Sequence, residues 1–196
     1  MSLAIVQRAF EDSPYCGDQA RCWPGGPAHR MTLCMADGLG HGLFAEKAAT
    51  AAVDYIAGHL AEPLPALFAG CDRAIRRTRG AALGIAVVDE EAGTLTYAGV
   101  GNTRAMIVRG GRDVFCLSSS YGIVGGGYRK LTLETVPFLP GDLVILYTDG
   151  IKERCDVLAY DDALRSDVQR LAERILRDWS RETDDAAVLV FRSEEL

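Results

Sequence analysis

The chain has 196 residues, 48% of them hydrophobic, with a formal net charge of −6 at pH 7. That length supports one domain, spanning residues 1–196, with a substantial core. The acidic balance argues against a nucleic-acid partner, which would need a basic face. The absence of an apolar run of ~18 residues argues against a membrane span. An acidic protein can still act on phosphate if metal ions supply the positive charge.

Leu3 to Phe10 is expected to form a first strand; its start, Met1 to Arg8, lacks the basic-then-apolar order of a secretory signal. A polar, turn-rich segment follows, with Glu11, Asp12 and Asp18. Asp18 after Gly17 has the chemistry of a turn cap. Residues 21–30 contain Pro24-Gly25-Gly26-Pro27 and are expected to loop. The apolar run Met31 to Ala36 predicts a buried strand ending at Asp37-Gly38-Leu39-Gly40-His41-Gly42. There Asp37 offers a carboxylate and Gly38 an unencumbered carbonyl, a pairing that suits magnesium or manganese. The same residues also suit an ordinary Asp-Gly turn.

From Leu43 to Leu60 a helix is expected, with Phe44, Ala48, Ala52, Ile56 and Leu60 on one stripe, widened by Val53. A second begins at Leu64 and closes with Arg76, Arg77, Arg79 and Gly80, a basic end that the helix dipole accounts for. The period then shortens. Ala81 to Val88, Thr94 to Val100, Thr103 to Arg109 and Arg112 to Leu117 are predicted strands, separated by turns that include Gly101-Asn102 and Gly110-Gly111. Ser118 to Lys130 is predicted as a glycine-rich surface loop without the ending of a nucleotide-binding loop, a substrate flap being the alternative.

Two further strands, Leu131 to Val136 and Asp142 to Thr148, join through Pro140-Gly141. The second is apolar on both faces, hence central, and ends at Asp149-Gly150. Asp161 to Trp179 is predicted as a third helix, and Thr183-Asp184-Asp185 precedes a last strand, Ala186 to Phe191. Helices followed by a run of antiparallel strands make the class α+β. Six cysteines and three histidines show no C-x-x-C or zinc-like spacing, so a reducing cytoplasm is the expected compartment.

Asp18, Asp37, Asp149 and Asp184 or Asp185 all fall at strand ends or turns. Gathered at one rim, they would repel one another unless divalent cations intervened. Two such ions roughly 3.5–4 Å apart would activate a water and clamp an in-line phosphoryl displacement. Structural capping remains the simpler account of each residue alone.

The ordered series Gly17-Asp18, Asp37-Gly38-Leu39-Gly40-His41-Gly42, Gly99-Val100-Gly101-Asn102, Pro140-Gly141-Asp142, Thr148-Asp149-Gly150 and Asp184-Asp185 covers nearly the whole chain. It resembles the metal-dependent PPM (PP2C-type) protein phosphatases, in particular their bacterial branch of SpoIIE and the Rsb phosphatases. The resemblance implies a PP2C-like αββα four-layer sandwich, two antiparallel sheets flanked by helices, with two divalent cations, Mn2+ or Mg2+. Asp37 would bridge the ions and Gly38 would bind one through its carbonyl. Asp149 and Asp184 would serve the other, Asp18 would hold a metal-bound water, and Asp185 would support the ligands from behind. The implied reaction is hydrolysis of phosphoserine or phosphothreonine by metal-activated hydroxide. The implied partners are phosphorylated regulatory proteins, namely STAS-domain components of a stressosome. Two features depart from the wider family: residues 11–17 contain no phosphate-binding arginine, and Leu39 takes the place of the histidine that follows Asp-Gly in eukaryotic members. His41 is therefore expected to be structural. A catalytically silent binding scaffold and a phosphatase of small phosphate esters are the alternatives.

Overall fold

The computed structural model describes residues 2–24 and 30–193, so Gly25, Gly26 and Pro27 of the expected loop lie outside the described residues. The chain opens with β1 (Ser2–Arg8), β2 (Asp18–Pro24) and β3 (Arg30–Gly38), followed by α1 (Leu43–Ala57) and α2 (Leu64–Ala74). Next come β4 (Ala81–Asp89), β5 (Thr94–Val100), β6 (Arg104–Arg109), β7 (Asp113–Leu117), β8 (Gly122–Ile123), β9 (Gly127–Tyr128), β10 (Leu133–Pro137) and β11 (Leu143–Tyr147). The chain finishes with α3 (Asp162–Ser166), α4 (Val168–Trp179) and β12 (Ala186–Arg192).

Two five-stranded sheets form, ordered β1-β12-β11-β6-β7 and β10-β5-β4-β3-β2, and their pairings are antiparallel. Side-chain alternation along each strand builds three apolar layers. On β12, Ala187, Leu189 and Phe191 face the other sheet, while Ala186, Val188 and Val190 face α4. On β3, Leu33 and Met35 face between the sheets, while Cys34 and Ala36 meet α1 and α2. Both faces of the central strands are covered, so an antiparallel strand such as β11 is apolar at every position from Leu143 to Tyr147. The result is the αββα sandwich. Each large side chain buried in these layers contributes ~1.5–3 kcal/mol.

Several local expectations are corrected. Residues 21–24, expected in a loop, instead belong to β2, because pairing with β3 overrides their weak periodicity. Gly101-Asn102 is not a hairpin turn; there, as at Pro140-Gly141, the chain crosses from one sheet to the other. Ser118 to Lys130 contains the small β8–β9 hairpin. On α1 the buried stripe begins at Ala45, and Phe44 is 60% exposed. Helix α2 ends at Ala74, so Arg76, Arg77 and Arg79 lie in the turn beyond it and only Arg73 sits in its last turn.

The expected third helix is two helices. Asp161 accepts the Leu164 N–H at 2.8 Å to start α3, and Asp167 accepts the Arg170 N–H at 3.0 Å to start α4. Asp167 adopts extended backbone (φ −105°, ψ 99°), which interrupts the helical ladder while satisfying the first orphan donors of α4. Replacing Asp167 by Ala should lower stability by ~1 kcal/mol. Thermal melting should register this as a fall of ~2–4 °C, with Asp167→Asn, which can still accept the Arg170 N–H, retaining most of the stability.

Candidate metal centre

The register of β2 against β3 sets Asp18 directly opposite Asp37. Like charges at facing positions of an antiparallel pair destabilise it. Asp18 is also 2% exposed, so this is a costly place for a carboxylate.

The second sheet brings the remaining acids to the same end. Just past β11, the Thr148 hydroxyl donates to Asp18 Oδ2 at 2.7 Å and accepts the Ala187 N–H at 3.0 Å. One buried hydroxyl therefore ties the start of β2 to the end of β11 and the start of β12. Asp149 follows immediately, and Asn102 Nδ2 donates to its Oδ2 at 2.7 Å. Arg181 Nε donates to the Asp149 carbonyl at 3.0 Å. Asp185 is buried, with Oδ1 accepting the Phe10 N–H at 2.8 Å and Oδ2 the Gly17 N–H at 2.9 Å. Asp184 Oδ1 accepts the Asp185 N–H at 2.9 Å.

Two glycines let the layers meet this closely. A Cβ at Gly38 would lie 2.0 Å from the Ala45 carbonyl oxygen of α1, and one at Gly150 would lie 1.9 Å from the Asp185 carbonyl oxygen. Any side chain at either place would push apart the segments that carry the carboxylates.

Electrostatics follow from this crowding. Burial pushes the Asp37 carboxyl well above the ordinary carboxylate range, and Asp18, Asp149, Asp184 and Asp185 push it further. Asp18 is raised for the same first reason, the Thr148 hydrogen bond opposing it and Asp185, Asp184 and Asp149 adding to it. Asp184 is raised by burial and then by Asp149, with His41 acting in the opposite sense. Five carboxylates thus lie within electrostatic reach of one another. Among the described residues, no three Asp, Glu, His or Cys side chains are drawn together as ready metal ligands; Asp18 Oδ2 and Asp149 Oδ2 are engaged in the hydrogen bonds above. The donor chemistry nevertheless fits hard divalent cations. It consists of carboxylate oxygens destabilised by one another, which a cation would relieve.

The structure therefore brings together Asp18, Asp37, Asp149, Asp184 and Asp185. His41 stands at the exposed rim, its ring edge-on to Phe10 at 5.4 Å. The supporting residues Thr148, Asn102 and Arg181 were not singled out from the sequence. Thr148 and Asn102 lie inside quoted motifs, whereas Arg181 had no signal.

Comparison with known proteins shows the family. The family described as Stage II sporulation protein E (SpoIIE) matches residues 27–194, and the chain belongs to it, as a PP2C-type phosphatase. The chain is 26% identical over 147 residues to the phosphoserine phosphatase RsbX of Bacillus subtilis, covering 75% of this chain and 73% of that protein. A solved chain from work on the bacterial stressosome superposes with a TM-score of 0.87 at 29% identity, covering 96% of this chain and 97% of that one. RsbX in complex with magnesium superposes with a TM-score of 0.81 at 22% identity, covering 96% and 92%.

A carboxyl held above its unfolded value makes the native state the better proton binder. Its stabilising contribution is full below the unfolded value of ~4 and is lost as pH rises through the folded value. In chelator, the melting temperature should therefore fall by several degrees between about pH 5 and about pH 8. Added manganese or magnesium should raise it more at the higher pH, as followed by differential scanning fluorimetry.

Proposed function

We propose that this SpoIIE-family phosphatase removes phosphate from phosphoserine or phosphothreonine on regulatory partner proteins, using the carboxylate end of its two sheets. The observation that supports this most strongly is the cluster of mutually repelling aspartates built from both sheets, tied by the Thr148–Asp18 hydrogen bond. In this reading Asp37, the Gly38 carbonyl, Asp149 and Asp184 would hold divalent cations, manganese or magnesium, with Asp18 supporting them. Bound there, such cations supply Lewis acidity that makes water nucleophilic near neutral pH and offsets charge on the phosphoryl oxygens.

The chain's own groups do the positioning. Asn102 holds Asp149 in one rotamer through Oδ2, leaving Oδ1 for a ligand. Thr148 does the same for Asp18. Asp185 spends both oxygens on the Phe10 and Gly17 N–H groups, which suits a supporting role rather than ligation. Those bonds hold the segment leading into β2, so Asp18 keeps its place. His41 sits near Asp184, its ring edge-on to Phe10.

The partner class is drawn from the relatives. RsbX is a phosphoserine phosphatase, and another structural relative comes from stressosome work. Phosphorylated STAS-domain proteins of a stressosome are accordingly the substrates to try first, with and without manganese. No helix among the described residues is long and apolar enough to cross a membrane, and we place the enzyme in the cytoplasm with such partners.

Asp37→Ala and Asp149→Ala should each reduce manganese-dependent hydrolysis of p-nitrophenyl phosphate by more than ~100-fold, beyond the effect of losing a supporting hydrogen bond. Their metal-free melting temperatures should be unchanged or higher, because each removes a repelling charge. Activity near the wild-type rate would rule out the assignment.

A further inference from the structure

Beside the carboxylate end runs an open groove of about 490 Å³. Its walls are Leu39, two residues beyond Asp37, and Tyr121 and Ile123 at the β8–β9 hairpin; Ala82 and Gly101 contribute to its lining. It is continuous with the acidic cluster through Asn102, which lines the groove and also holds Asp149. Two of the lining side chains are apolar surface left open to water: Tyr121 is 98% exposed and Leu39 39%. Nothing in the packing of the sandwich requires an aromatic ring to stand so far out.

Away from the carboxylate end, the charged side chains flanking the groove are basic. Across the hairpin, a second depression shares Tyr121, Gly122 and Gly127 with the first and is lined by Arg129 and Lys130. On the near side, Arg79 donates to the Leu39 carbonyl at 3.4 Å and lies 5.4 Å over the exposed Phe44 ring. A chain of net charge −6 therefore flanks this groove with cations. An apolar slot that leads from a phosphate-directed site to a basic strip fits a particular polymer: an extended, acidic phosphopeptide segment. A small phosphate ester would reach neither the slot nor the strip.

We propose that the groove reads the sequence around the phosphorylated residue of the partner, a selection that rests on the phosphatase reading above. An apolar side chain next to the phosphoserine seats between Leu39 and Tyr121. Acidic residues farther along the same extended segment, at ~3.3 Å per residue, reach Arg129 and Lys130. Small residues at Ala82 and Gly101 leave room for the segment's backbone. The phosphoryl group thereby enters the carboxylate end, and partners lacking the apolar neighbour or the acidic flank are poor substrates.

The test uses the full chain with manganese and synthetic phosphopeptides. The reference peptide carries Leu beside phosphoserine and an acidic flank; in two others Leu becomes Asp, or the flank becomes Lys. Each change should lower kcat/KM about tenfold, chiefly through KM. In Tyr121→Ala, the Leu and Asp peptides should become equivalent. If all peptides agree within about twofold while p-nitrophenyl phosphate is hydrolysed, the groove is not a reading surface. Fluorescence anisotropy of the same peptides separates the two ideas. Ranked binding without hydrolysis of peptide or ester would keep the groove and overturn the phosphatase reading, and unranked binding would overturn the groove.

Discussion

The repulsion between Asp18 and Asp37, set face to face by the β2–β3 register, shapes everything at this end of the molecule. Opposed like charges on a half-buried ladder should open the pair or change its register. The native register holds because the rest of each strand is committed: Leu33 and Met35 to the layer between the sheets, Cys34 and Ala36 to the helices. A slip by one residue would exchange these faces entirely. The apolar layers therefore maintain a charged arrangement that is unfavourable in itself, and that stored cost is what a divalent cation would recover on binding.

The supporting contacts differ in kind from the acids they hold. Thr148 joins the two sheets with a single buried hydroxyl, and Asp185 fixes the segment before β2 through two backbone N–H groups. These bonds are local and satisfied, so they define positions without adding charge. At Gly38 and Gly150, the space a side chain would fill is taken by backbone oxygens from Ala45 and Asp185. Helix α1 and the start of β12 thus press directly on the acidic loops. The two Asp-Gly pairs are alike in this respect: the aspartate faces the cluster and the glycine admits the neighbouring layer.

Charge is distributed unevenly over the surface. The acidic excess is concentrated partly at the sheet ends, while Arg79, Arg129 and Lys130 stand around the adjoining groove. Arg79 lies past the end of α2, so a helix dipole does not explain its position. Its contacts are with Leu39 and Phe44 at the rim of the candidate centre. Positive side chains there would guide an anionic segment toward a cluster that, without cations, would repel it.

By itself, the sequence determined the α+β class, the strands β1, β3 to β7 and β10 to β12 to within a few residues, and the acids proposed for the candidate centre. Apolar periodicity and Asp-Gly punctuation are local properties, and the ordered motif series resembled a single family. Tertiary structure decided the rest. It made residues 21–24 part of a strand, split residues 161–179 at Asp167, and turned Gly101-Asn102 from a hairpin into a crossing between sheets. It also decided that Phe44 faces water and that Thr148, Asn102 and Arg181 hold the acids. The reason is physical. A residue's propensity and period are carried by its near neighbours, whereas its partner across a sheet, 130 residues away for Thr148 and Asp18, exists only once the layers have packed.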